Sequence, residues 1–300
     1  MARHWRDLAP QGPLGPAEYA QPYAWWGWHW SPPVPLSIVE IVEAGTIDRR
    51  VAALLWVLVE SRRSVLLASE PPMSGKTTVL SALVSFLAAD TQPVFLRGLA
   101  ETFDYARALD PRHAYLLVNE LSSHLPVYLW GPKAKRMFRS LSAGFGLGTT
   151  MHADDVEGVQ AELREELDLT TDDLARLDVI GIMRTYAGGE VIRGHDDVPP
   201  EMRYGTEAVR RRLSHLHLVV RDGDTLGTPL LSEWDPARDE HRVSLEPHLE
   251  ELARRTGRTV ERLCDDLVVR ETFLGDLAAR GIRRPGAVRD AIAAYRGGAR

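Results

Sequence analysis

The stretch Ser64–Phe86, SVLLASEPPMSGKTTVLSALVSF, limits the possible fold more than any other part of the chain. Ser64 to Ser69 is an apolar run of buried-strand length. From Gly75 to Ala89 the apolar residues Val79, Leu80, Leu83, Phe86 and Leu87 recur at helical spacing. Between the two lies Met73-Ser74-Gly75-Lys76-Thr77-Thr78. A strand that turns through Gly-Lys-Thr directly into a helix is the setting of a phosphate-binding loop. Backbone N–H groups and the helix dipole face an anion there. Gly75 allows close approach, Lys76 reaches the outer phosphate oxygens, and the Thr77 hydroxyl can ligate Mg²⁺. Ser74 and Thr78 complete the candidate nucleotide-binding set. The opening of the loop departs from the usual spacing. Glu70 stands where glycine is usual, and Pro71 and Pro72 remove two N–H donors. If the loop needs a positive φ at that point, Glu70 bears a steric cost.

Composition sharpens this reading. The chain has 33 Arg and only three Lys, namely Lys76, Lys133 and Lys135. Where either cation serves, Arg is used, so a Lys at position 76 is notable: a phosphate loop takes a compact ammonium rather than a broad guanidinium. Three hundred residues, 44% apolar and 26% charged, suit one large domain with appendages. A net charge of −6 argues against non-specific nucleic-acid binding, and no nucleic-acid partner is expected. Cys264 is alone, which excludes an internal disulfide, and its helical surroundings predict a buried small residue. With no apolar run of spanning length and no signal segment, a cytoplasmic protein is expected.

Residues 1–35 read as a Pro/Trp-rich arm that holds five of the eight Trp; Trp26, Trp28 and Trp30 alternate as in an extended strand. Such an arm covers its own domain or docks on a partner chain. Two helices are predicted next, one stopping at Gly45 and the other capped by Thr46. Further apolar strands are predicted over 93–98, 113–120, 146–154 and 178–186. LHLVVRDG and GTPLLSEWD read as an antiparallel pair joined near Gly223 and Asp224, and the chain turns helical from about Glu246. Strand–helix alternation predicts an α/β fold with a mostly parallel sheet flanked by helices. The divisions are 1–35, 36–240 and a C-terminal helical segment over 241–300.

Two further residues bear on chemistry. HAYLLVNEL places Glu120 at the carboxyl end of a strand, where ligands sit in open α/β sheets. A carboxylate there can act on a water or hold a metal through water. GTTMHADD likewise puts His152 at a strand end, where it could sense a terminal phosphate.

In this order the segments resemble the secretion ATPases of the type II/type IV secretion and pilus-assembly superfamily, especially its archaeal-type branch. The likeness runs over about residues 35–300. AYLLVNEL resembles the Walker B strand, LSAGFGLGTTMHADDVEGV the histidine box, and RETFLGDLAARGIRRPGAVRDAIAAY the archaeal-type tail. The resemblance implies a RecA-like P-loop NTPase with a C-terminal helical tail, ATP and Mg²⁺ as ligands, Glu120 and His152 as catalytic residues, and Thr77 with Glu120 at the metal. It also implies a homo- or hetero-hexamer of this or related ATPase subunits, peripheral at the inner membrane through a secretion or pilus platform protein.

Several features depart from the family. Its aspartate box is replaced by Arg97-Gly98, with Glu101 as the one acidic candidate nearby. Its arginine-bearing segment before Walker B is largely deleted. Its Gly-Glu-Val-Arg-Gly reads Asn119-Glu120-Leu121-Ser122-Ser123, and its large N-terminal domain is represented by the Trp-rich arm alone. Phosphate- and metal-holding parts are kept, while parts that neutralise transition-state charge are lost; one such arginine is worth roughly 10³–10⁵ in rate. The expectation is an ATP hydrolase with weakened machinery, slow in isolation. The missing charge could come from Arg97, or from Arg136 and Arg139 of a neighbouring subunit. The alternatives are a non-hydrolysing nucleotide-binding subunit that partners a full-length ATPase, and an unrelated P-loop enzyme such as a small-molecule kinase.

Overall fold

A computed structural model describes residues 12–22, 35–71, 73–187, 190–192 and 209–298. The strand reading on Trp26, Trp28 and Trp30 falls outside the described residues, as do Trp5 and Trp25. The strands are β1 (Val65–Ala68), β2 (Gln92–Phe95), β3 (Ala114–Leu121), β4 (Gly146–Met151), β5 (Val179–Ala187), β6 (Glu190–Ile192), β7 (Arg210–Leu218), β8 (Val220–Asp222), β9 (Thr225–Gly227), β10 (Leu230–Asp235) and β11 (Glu240–Val243). The helices are α1 (Pro16–Tyr19), α2 (Ile38–Glu43), α3 (Arg49–Glu60), α4 (Lys76–Leu83), α5 (Tyr105–Ala108), α6 (Gly131–Leu141), α7 (Val156–Glu165), α8 (Thr171–Leu174), α9 (Leu249–Thr256), α10 (Val260–Ala279) and α11 (Pro285–Gly298).

β1 shows why the centre of the sheet is parallel. All four of its residues are buried. Val65 and Leu67 join the core beneath α3 and α4, while Leu66 and Ala68 join the core beneath α6 and α7. A strand covered on both faces needs apolar side chains at every position, so its run is continuous rather than alternating. The strand order is β11-β10-β7-β5-β1-β4-β3-β2, and β5, β1, β4, β3 and β2 are mutually parallel. β7, β10 and β11 extend this parallel centre as an antiparallel flank. Pro93 lies in β2, which ends this order, and an edge strand is where proline does least harm to a ladder. α1 covers that edge: Gln92 donates to the Pro16 carbonyl, and the buried Tyr19 ring meets Tyr105 edge-on.

α3 is buried without interruption from Val51 to Val59, because the sheet lies on one side and the C-terminal helices on the other. Trp56 stacks on Phe86 and meets Phe273 and Tyr295 edge-on. Glu60, at the end of α3, pairs with Arg258, Arg270 and Arg296, which ties α10 and α11 to the rest. Two sequence expectations change. The cap of α3 is Asp48, whose carboxylate accepts from the Arg50 and Val51 N–H groups, not Thr46, whose carbonyl accepts from Leu213. Cys264 is half-buried rather than buried. The expected antiparallel pair forms as β7 with β10; the turn at Gly223-Asp224 closes a separate small ribbon of β8 and β9.

Candidate functional site

Lys76, Glu120 and His152 follow or end three adjacent parallel strands, β1, β3 and β4. Neighbouring strands in one parallel sheet open their carboxyl ends onto one crevice, so residues 76 positions apart in sequence converge there. Gly75 caps α4 with φ +93°, in the left-handed region that glycine alone enters freely. The strain expected at Glu70 is absent from that residue. It falls instead on Met73, at φ +59°, whose side chain is exposed. The positive φ angles of the loop thus fall late, at Met73 and Gly75, next to the helix.

Lys76 is 6% exposed, and its Nζ donates to the Ser69 carbonyl at 2.7 Å. An ammonium has three donors, and among the described residues the other two have no partner. Burial pulls its pKa down to about 8, against the opposing negative charges of Glu120 and Glu70. Among the described residues the buried hydroxyls of Ser69 and Ser74 also lack partners. Thr77 and Thr78 lie half-buried on the first turn of α4. A phosphate group would satisfy the remaining ammonium donors, the Ser74 hydroxyl and the free N–H groups of the helix start together, so these residues fit an anion.

Glu120 owes its position to a feature the sequence does not announce. β3 and β4 pair Val118 with Thr149 and then Leu121 with Met151, so Asn119 and Glu120 together oppose Thr150. This is a β-bulge, and bulges re-aim side chains at the ends of strands. The Thr150 hydroxyl donates to the Asn119 carbonyl at 2.6 Å and pins it. Glu120 is buried, and its Oε1 lies at ion-pair distance, 2.9 Å, from His152 Nε2; among the described residues that oxygen has no other partner. His152 Nδ1 lies 2.8 Å from the Glu70 carbonyl. Burial acts against a charged His152 ring, but the neighbouring Glu120 and the Glu70 carbonyl outweigh it and raise its pKa.

Besides His124, which lies close to Glu120 and His152, two residues at the site were missed by sequence reasoning. Arg211, on β7, donates from Nε to the Met73 carbonyl at 2.8 Å, and its side chain lies against Gly75. Burial lowers its pKa. Glu162, on α7, is pushed up to about 7, first by burial and then by the charges of Glu166, Glu70 and Glu120, with His152 opposing. No local pattern marks either residue; only the pairing of β7 beside β5, and the face that α7 turns to the strand ends, bring them in.

Of the charged residues considered at the departures, Glu101, Arg97 and Arg136 make side-chain contacts within the chain, and Arg139 has no such partner among the described residues. Glu101 accepts from the Tyr19 hydroxyl and the Phe103 and Arg97 N–H groups. Arg97 donates to the Glu18 carbonyl, Arg136 lies over the Phe103 ring at 4.4 Å, and Arg139 is exposed on α6. Gly98, at φ +54°, passes so close to Val127 that a Cβ would come within 2.4 Å of its backbone, so Arg97-Gly98 runs beneath the loop after Glu120.

No family model matches the chain. It is 25% identical over 294 residues to an uncharacterized protein of Methanocaldococcus jannaschii, taking in 87% of this chain and 49% of that protein. A second uncharacterized protein of the same organism is 23% identical over 267 residues, or 79% of this chain and 90% of that one. The chain therefore spans about half the length of the first of these relatives. Among solved structures it is similar to the crystal structure of the VirB11 ATPase from the Brucella suis type IV secretion system in complex with sulphate. The TM-score is 0.34 at 19% identity, over 61% of this chain and 60% of that one. No helix among the described residues is long and apolar enough to cross a membrane.

Proposed function

We propose that this chain binds ATP at the loop before α4 and is a slow ATPase of the secretion and pilus-assembly type. The observation that supports this most is Lys76, a buried ammonium at a helix start with two donors unpartnered among the described residues, near the buried carboxylate of Glu120 on β3. Lys76, Ser74 and the N–H groups of the first turn of α4 hold the terminal phosphates. Thr77 and Glu120 are the residues that would hold Mg²⁺, directly or through water. Mg²⁺, when bound, neutralises charge on the phosphate oxygens. Glu120 takes the proton of the attacking water. His152, fixed by the Glu70 carbonyl, senses the terminal phosphate from beside Glu120. Arg211 braces the loop from β7.

Hydrolysis is slow in this reading because Arg97 is held by the Glu18 carbonyl and the arginine-bearing segment is largely missing, leaving transition-state charge poorly neutralised within one chain. The same observation favours the second reading, a non-hydrolysing subunit that pairs with a full-length ATPase. Assembly as a homo- or hetero-hexamer, cytoplasmic and docked on an inner-membrane platform protein, belongs to this proposal as well. ATP turnover by the pure chain tests it. The expected rate lies well below the usual ~1–10³ s⁻¹, and Glu120→Gln removes what there is while MgATP binding persists. Brisk turnover indifferent to Glu120→Gln would overturn both the role of Glu120 and the weakened motor; no turnover even with a partner ATPase present would favour the non-hydrolysing subunit.

A further inference from the structure

One carboxylate oxygen of Glu120 and one ring nitrogen each of His124 and His152 lie within 4.8 Å of one another. We propose that these three side chains form a site for a transition-metal ion of the zinc class, distinct from any magnesium that accompanies a nucleotide. Three observations converge. The Glu70 carbonyl, 2.8 Å from His152 Nδ1, can only accept, so Nδ1 carries a proton. A ring N–H donated to a backbone carbonyl is the usual way a metal-binding imidazole is oriented, with its other nitrogen turned to the ion. That other nitrogen, Nε2, stands 2.9 Å from the buried Glu120 Oε1, an ion pair when the ring carries a second proton, whose place a metal ion can take. A cation between them satisfies both atoms.

His124 supplies the third ligand. It follows Glu120 by four residues in a loop pinned at several points: Leu129 N–H to the Glu120 carbonyl, Ser122 N–H to the Leu129 carbonyl, and Leu99 N–H to the Pro126 carbonyl. Its own N–H donates to the Ser122 hydroxyl, and its ring centre is 5.8 Å from that of His152. Zinc bonds of about 2.0–2.1 Å put tetrahedral ligand atoms about 3.3 Å apart. The exposed His124 ring therefore has to close by about 1.5 Å, which a side-chain rotation supplies. Two imidazoles and one carboxylate with a fourth position open are a zinc-type set; magnesium takes oxygen ligands throughout and has no use for the histidines. An ion seated here occupies the oxygen that Glu120 would otherwise offer to water, so zinc and catalysis exclude one another at this carboxylate.

The test is zinc titration of the full, chelator-treated chain by calorimetry, without nucleotide. The site therefore does not depend on the ATP reading, and its failure is separable from failure of Lys76 to bind phosphate. Saturable binding of one zinc per chain is expected. His124→Ala and Glu120→Gln should each weaken it by about tenfold or more, since even outer contacts of a metal site are worth ~10–100-fold. His113→Ala, which removes a surface ring paired with Asp90, should change nothing. Absence of saturable binding, or binding undiminished in His124→Ala, overturns the site. Should His124→Ala unfold, cobalt(II) added to His124→Cys decides: a thiolate-to-cobalt charge-transfer band is expected, and its absence refutes the assignment.

Discussion

Arg211→Ala should loosen the phosphate loop, and the structure gives the size of the effect. The Arg211 guanidinium donates to the carbonyl of Met73, which among the described residues of the loop shares positive φ with Gly75 alone. A non-glycine residue in the left-handed region costs about 1–2 kcal/mol. A hydrogen bond from a charged donor is worth about 1.5–3 kcal/mol when buried. This one lies at an exposed position, so about 1–1.5 kcal/mol is the fairer figure. The bond and the strain are thus of similar size, and Arg211 keeps Met73 in a conformation that it would otherwise leave. Removing Arg211 shifts the loop away from its phosphate-ready form and should weaken MgATP by about five- to twelvefold, at 1.4 kcal/mol per decade. If the role is to brace Met73, Met73→Gly removes the strain and should restore most of the affinity in the Arg211→Ala background. Calorimetry on the four proteins of this cycle gives the coupling directly. Unchanged affinity in Arg211→Ala refutes the brace. A loss that Met73→Gly does not relieve shows Arg211 acting on the phosphates instead.

Affinity for MgATP should fall as pH rises from about 7 to 9. Lys76 must be charged to hold phosphate, and its pKa of about 8 in the free protein means that binding takes up a proton above that value. Calorimetric enthalpies at pH 8.5 should then vary with the ionisation heat of the buffer, and a buffer-independent enthalpy would count against this. Glu162, at about 7, adds a negative charge beside the site over the lower half of the same range. Glu162→Gln should flatten the profile between pH 6.5 and 7.5 and leave the fall above pH 8 in place; an unchanged profile would place Glu162 too far from the phosphates to matter.

The fold was legible where one local property decided the outcome. β1 and β3 are buried on both faces, so the apolar runs that open them are continuous and visible in the sequence. Lys76 stood out because a chain that uses Arg almost everywhere keeps a Lys at a strand–helix turn. What was hidden depended on partners distant in sequence. Arg211 meets Met73 across 138 positions, and only the antiparallel pairing of β7 with β5 brings it there. The bulge at Asn119 and Glu120 is a matter of register with β4, and neither strand alone encodes it. The cost assigned to Glu70 moved to Met73 because local sequence shows which residue departs from a pattern, not which φ the closed loop requires.

The central claim is that the loop before α4 is a phosphate site built on Lys76, and MgATP titration of wild type and Lys76→Ala by calorimetry tests it most directly. Loss of a charge-assisted contact of ~1.5–3 kcal/mol should weaken binding by about tenfold or more, with the variant still folded by circular dichroism. Equal affinity in the two proteins, or no binding to the wild type, would contradict the account.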